Sequence, residues 1–193
     1  MTPKLFRTQV PCLVAVMTGI APAQAKAQSV LEKLPFNIKI GQTKNAEIES
    51  RGICVSRIKI TDTYHRCERY EMSGGKFYVD SGQSEIVTGV TFVGVFGHEL
   101  PRSWQDLGLR LRVPRSNRLG TLKADFIRIV KSAGARNLEV ESRKSIDERM
   151  IEDFIFFDVA GLHFKATLDS FRNYKEEIPI EQGLSEISVT EAY

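Results

Sequence analysis

Histidine, cysteine and tryptophan are all scarce in this chain of 193 residues, at three, three and one. That scarcity excludes much chemistry. None of His65, His98 and His163 falls in an H-E-x-x-H or comparable spacing, so a zinc hydrolase has no ligand set. No G-x-S-x-G occurs, which removes the usual serine-hydrolase signature. Gly74, Gly75 and Gly82 lack the G-x-x-x-x-G-K pattern that cradles phosphates and read as hairpin turns. Cys54 and Cys67 are not spaced C-x-x-C, so thioredoxin-type exchange is not indicated. No motif calls for a cofactor or metal. Charge of one sign is missing too: 27 Lys/Arg against 24 Asp/Glu leave +3, and no nucleic-acid motif accompanies it. Nucleic acid is therefore not an expected partner.

What is present reads as a folded, exported protein. A hydrophobic fraction of 42% and a charged fraction of 26% are ordinary globular values. Lys4 and Arg7 form a positive opening without nearby acids, and an apolar stretch from Val10 to Ile20 follows. Overlapping small-residue frames come next, Ala23-Gln24-Ala25 and Ala25-Lys26-Ala27. This order predicts a cleaved secretory signal, residues 1–25 (or 1–27), cut after Ala25 or Ala27. The run is too short for a membrane anchor and carries Pro11 and Gly19, while Cys12 sits too early for lipoprotein processing. No later run reaches the roughly 18 apolar residues of a span. The expected location is the bacterial periplasm or exterior. There the remaining even pair, Cys54 and Cys67, predicts a disulfide contributing about 3 kcal/mol in the chain-entropy picture.

The most apolar later stretch, Phe154–Leu168, reads as two strands joined at Ala160-Gly161. The implied register sets Val159 opposite Leu162, Phe157 opposite Phe164 and Ile155 opposite Ala166 on one face. Phe154 with Thr167, Phe156 with Lys165 and Asp158 with His163 fall on the other. Upstream, Thr43 reads as the cap of a short helix stopped by Gly52. Strands at Ile53–Ile60, Tyr64–Met72, Lys76–Asp80 and Glu85–Val93 follow. Helical spacing over Leu122–Ala133 predicts a second helix, stopped by Gly134. Strands at Asn137–Glu141, Glu152–Val159, Leu162–Asp169 and Leu184–Thr190 come after it. The order repeats, so the expected fold class is α+β: two tandem units, each a helix followed by a four-stranded antiparallel sheet. Their bounds are 36–97 and 120–193, with an Arg-rich connector at 98–119.

Gly41 with Thr43, and Gly120 with Thr121, each open a helix before a short meander. In this, each half resembles the BamE-like (SmpA/OmlA) envelope domain, and two in tandem resemble the β-lactamase-inhibitor-protein fold. The resemblance covers most of residues 36–193 and implies a binding role in the envelope. The chain departs from it by lacking a lipoprotein cysteine, and no functional residue of either family maps onto it.

Charge is uneven around the connector. From His98 to Arg136 nine Lys/Arg face three Asp/Glu, and from Asn137 onward six face thirteen. One reading is a pair of solvated faces that attract each other. The other makes Arg102, Arg110, Arg112, Arg115 and Arg118, with Trp104, an anion-binding patch for an anionic envelope component or an acidic protein. Asp158 beside His163 reads first as a cross-strand ion pair. Its catalytic alternative is a general base near Ser170 in a small hydrolase. Phe154, Phe156 and Phe157 read as core, and the acids from Asp147 to Asp153 as a solvated edge without the spacing of a calcium loop. The function these residues favour is non-enzymatic binding of another envelope protein or envelope component. A structural envelope protein without a discrete ligand is a further alternative.

Overall fold

Alternation and one tight turn build the central hairpin. Residues Met150–Val159 and Leu162–Phe171 pair antiparallel, with Phe157 opposite Phe164, Phe156 opposite Lys165 and Asp158 opposite His163. Ala160 and Gly161 connect them with φ of 52° and 80°. Two consecutive positive φ values are what a two-residue hairpin turn needs to match strand twist. Alanine is disfavoured in that region by roughly 1–2 kcal/mol, and asparagine tolerates it better. Ala160→Asn is therefore expected to stabilise the protein by about 0.5 kcal/mol, read as a shifted urea midpoint. A lowered midpoint would contradict the turn geometry.

The computed structural model describes residues 30–52, 56–61, 64–69, 77–82, 84–113, 118–144, 149–172 and 180–192. The strands are β1 (Ser56–Thr61), β2 (Tyr64–Arg69), β3 (Phe77–Ser81), β4 (Val87–Val93), β5 (Arg136–Lys144), β6 (Met150–Val159), β7 (Leu162–Phe171) and β8 (Ile180–Glu191). The helices are short: α1 (Asn45–Ser50), α2 (Arg102–Asp106) and α3 (Lys123–Ser132), with single 3-10 turns at Pro35–Asn37 and Gly94–Phe96.

All eight strands lie in one antiparallel sheet, ordered β1-β2-β3-β4-β8-β7-β6-β5. This corrects the expectation of two tandem units with a four-stranded sheet each. The halves join by backbone pairing of β4 with β8, from Gly89 opposite Thr190 to Val93 opposite Glu186. Two separate sheets would each leave an edge of unpaired N–H and C=O groups at this position, and pairing them removes both edges. The helix expectations change in detail as well. Lys44 and Leu122 precede α1 and α3, and neither helix has a side-chain cap. Thr43 and Thr121 instead tie bends: Thr43 Oγ1 accepts from Lys39 N–H at 2.8 Å, and Thr121 Oγ1 from Arg110 N–H at 2.7 Å.

One face of the sheet is covered and the other is not. Inward residues such as Val90, Phe92, Ile155, Phe157, Phe164 and Ile187 form one core with Ile48 of α1, Trp104 of α2, and Phe126, Ile129 and Val130 of α3. The 98–119 stretch is part of this covering layer and not a linker. Trp104, Leu109 and Leu111 are buried, and Arg112 N–H donates to Leu184 O at 2.7 Å. Its polar backbone is thereby paired along β8, as burial requires.

Candidate functional site

The proposed cationic patch does not assemble as the sequence suggested. Trp104 is fully buried, packed against Phe92 and Phe164 at ring distances of 5.6 and 6.0 Å. An aromatic placed there cannot touch a surface ligand. Arg112 points to the sheet and bonds Asp169 at 2.9 Å, and Ser185 donates to the same carboxylate at 2.9 Å. Arg102 lies on the exposed side of α2, 3.2 Å from Asp106. Only Arg110 and Arg118 meet, lining a pocket of about 50 Å³ with His98 and Glu99. Arg115 lies outside the described residues, as do Cys54, Ala25 and Ala27. Cys67 is partly buried in β2, opposite Arg57 and Val79, and packs against the core.

The Asp158–His163 pair does form. Its Nδ1–Oδ1 distance is 2.8 Å, Asn137 Nδ2 donates to the other carboxylate oxygen at 2.7 Å, and the imidazole stacks on Phe156. The hydrogen bonds from Asn137 and then His163 hold the Asp158 carboxyl below the usual value. Among the described residues no hydroxyl or thiol bonds His163, so the pair has an orienting carboxylate without a nucleophile. Nor is any group of three His, Cys, Asp or Glu placed to hold a metal among them, and no described helix is long and apolar enough to cross a membrane.

The larger feature is the face on which this pair sits. Strand parity places Tyr78, Thr91, Ser188, Lys165 and Phe156 in one row across β3, β4, β8, β7 and β6. A neighbouring row holds Val93, Glu186, Thr167 and Phe154. At about 4.8 Å per strand the sheet is roughly 34 Å across. Among the described residues little reaches over this face. Arg112 meets Asp169 at one end, and the 3-10 turn after β4 brings Phe96 and His98 to Tyr78, at ring distances of 6.1 and 4.7 Å. The tip of that turn is exposed and apolar, with Val95 at 62% and Phe96 at 54%. Phe154 and Phe156, expected in the core, lie half-buried here, whereas Phe157 is in the core as expected.

Glu186 shows how crowded the middle of this face is. Burial pushes its carboxyl above the ordinary value; Lys165 and Arg66 oppose the shift, and Asp169 and Glu152 reinforce it. The folded state then holds this proton more tightly than the unfolded chain. The ionised group costs stability above its folded value, and the cost disappears as pH falls through it. Asp158 runs the other way: its contribution is present above the unfolded value and is lost as pH falls through the folded one. Glu186→Gln is expected to raise the melting temperature at pH 7 by roughly 2 °C and to leave that of a pH 4 sample nearly unchanged. A lower melting temperature at pH 7 would show the carboxylate to be a net stabiliser.

The sequence pointed to the Asp158–His163 pair but not to the face around it. The available signal was the half-polar alternation of β7, which marks a strand wetted on one side. Compared with protein-family models, curated proteins and solved structures, the chain matches none.

Proposed function

We propose that the chain is an exported, non-enzymatic binding protein of the bacterial envelope or exterior, and that its uncovered sheet face is the binding surface. The carrying observation is that face itself, half-buried Tyr78, Phe154 and Phe156 rimmed by the exposed Val95-Phe96 tip. Exposed apolar groups gathered beside an uncovered sheet are typical of an interaction surface, and rings that present area at small entropic cost suit one. The leader-like N-terminus supports export. In that compartment Cys54 pairs with Cys67, and non-reducing peptide mapping is expected to recover the two joined.

The experiment is site-specific photo-crosslinking in cells that export the protein. A crosslinker at Phe96 or Phe156 is expected to capture a partner, and one at Lys131, on the exposed side of α3, is expected to capture none. Capture from Lys131 alone would move the site to the helical layer. A measurable turnover abolished by Asp158→Ala would replace the binding reading with the hydrolase one.

A further inference from the structure

We infer that the partner seated on the open sheet face is a lysine- or arginine-rich protein segment that also carries apolar side chains. This rests on the reading of that face as the binding surface and adds the chemistry of its occupant.

The argument is a charge inventory. The cations within the face are already engaged there. Arg66 bonds Asp80 at 2.8 Å and lies over the Tyr78 ring at 4.7 Å. Arg143 and Lys165 lie 5.1 and 4.8 Å from the centre of the Phe154 ring, and Arg143 is 3.5 Å from Glu141. The carboxylates are more numerous and only partly matched. Asp158 is taken by His163 and Asp169 by Arg112. Glu139 and Glu152 flank the phenylalanines across β5–β6 and β6–β7, and Glu186 lies opposite Val93 and Thr167. None of these three has an ion-pair partner among the described residues. Glu152 and Asp169 lie close enough to Glu186 to push its carboxyl up, so the like charges act on one another.

A partner bringing positive charge relieves that repulsion, and an anionic one adds to it. Each exposed pair contributes only about 0.2–1 kcal/mol. The summed field therefore acts mainly on selectivity and association rate, while the rings supply contact area. Arg110 and Arg118 lie in the connector, away from this face, so they do not offset its charge.

The test uses the full chain and a fluorescein-labelled 12-residue peptide of alternating lysine and valine, with the glutamate–valine peptide as its counterpart. The lysine peptide is expected to bind, with Kd rising at least fivefold between 50 and about 300 mM salt. The glutamate peptide is expected to bind at least tenfold more weakly. The triple reversal Glu139→Lys, Glu152→Lys, Glu186→Lys is expected to cost at least tenfold. A charge-matched reversal off the face, Glu49→Lys, Glu85→Lys, Glu99→Lys, is expected to cost less than threefold. Where the first reversal disturbs folding, glutamine at the same three positions is expected to cost about threefold. Equal binding of both peptides, or equal effects of the two reversals, overturns the cationic preference. If Phe96→Ser with Phe156→Ser then still weakens binding of either peptide, the face survives as the binding surface with a different partner. If neither ring substitution nor charge reversal matters, both readings fail.

Discussion

Replacing Trp104 with alanine is expected to cost about 3–5 kcal/mol, enough to leave much of the protein unfolded at 37 °C. The indole is fully buried between β4 and β7, against Phe92 and Phe164, and its Nε1–H donates to Val30 O at 3.2 Å. Alanine leaves a cavity walled by rings that a sheet holds in place, and rings so held cannot collapse into it. Trp104→Phe keeps most of the volume and loses the hydrogen bond, so about 1–2 kcal/mol is expected. Because this is the chain's single tryptophan, urea unfolding of both variants is best followed by far-ultraviolet circular dichroism. A cost below about 1 kcal/mol for the alanine variant would return Trp104 to the surface patch that the sequence suggested.

Gly120→Ala is expected to be comparably damaging, at about 3 kcal/mol or more. A Cβ there meets Leu184 O at 2.4 Å, Leu184 N at 2.5 Å and Arg112 N at 3.0 Å. All three are backbone atoms, so no side chain can swing aside. The contacts lie where the connector is stitched to β8, through Gly120 N–H to Gln182 O and Leu184 N–H to Thr121 O, both at 2.9 Å. Making room for the methyl group breaks that stitching and exposes Leu109 and Leu111 behind it. Gly52→Ala is the control. Gly52 has φ of +64° but open space around it, so only the conformational term of about 1 kcal/mol applies. Equal losses in the two variants would show that close approach is not what Gly120 provides.

Legibility in the sequence follows the range of the interactions. The β6–β7 register was readable because alternation and an Ala-Gly turn are local, and every pairing inferred between Phe154 and Thr167 is present. The helix over Leu122–Ala133 was readable within a residue at each end, since Phe126, Ile129 and Val130 mark one face. The connector was misread for the converse reason. Its prolines, glycines and arginines have a linker's composition, and its partners, Phe92, Phe164 and the backbone of Leu184, are distant in sequence.

The division into two sheets failed on the same ground. Whether β4 pairs with β8 depends on backbone groups that every sequence carries, so no residue type announces it. The candidate surface was legible only in part. The Asp158–His163 contact follows from hairpin register, but the raised carboxyl of Glu186 depends on charges from β2, β6 and β7 that meet only in the assembled sheet.

By itself, then, the sequence determined the strands and helices, the two alternating faces of the hairpin and the scarcity of catalytic side chains, because periodicity and composition are local properties. Tertiary structure decided that eight strands make one sheet, that the Arg-rich connector closes its core, and that Phe154, Phe156 and the unpaired carboxylates share an uncovered face. Those outcomes depend on which edges pair and which face receives the covering layer, and both are settled by contacts between residues far apart in the chain.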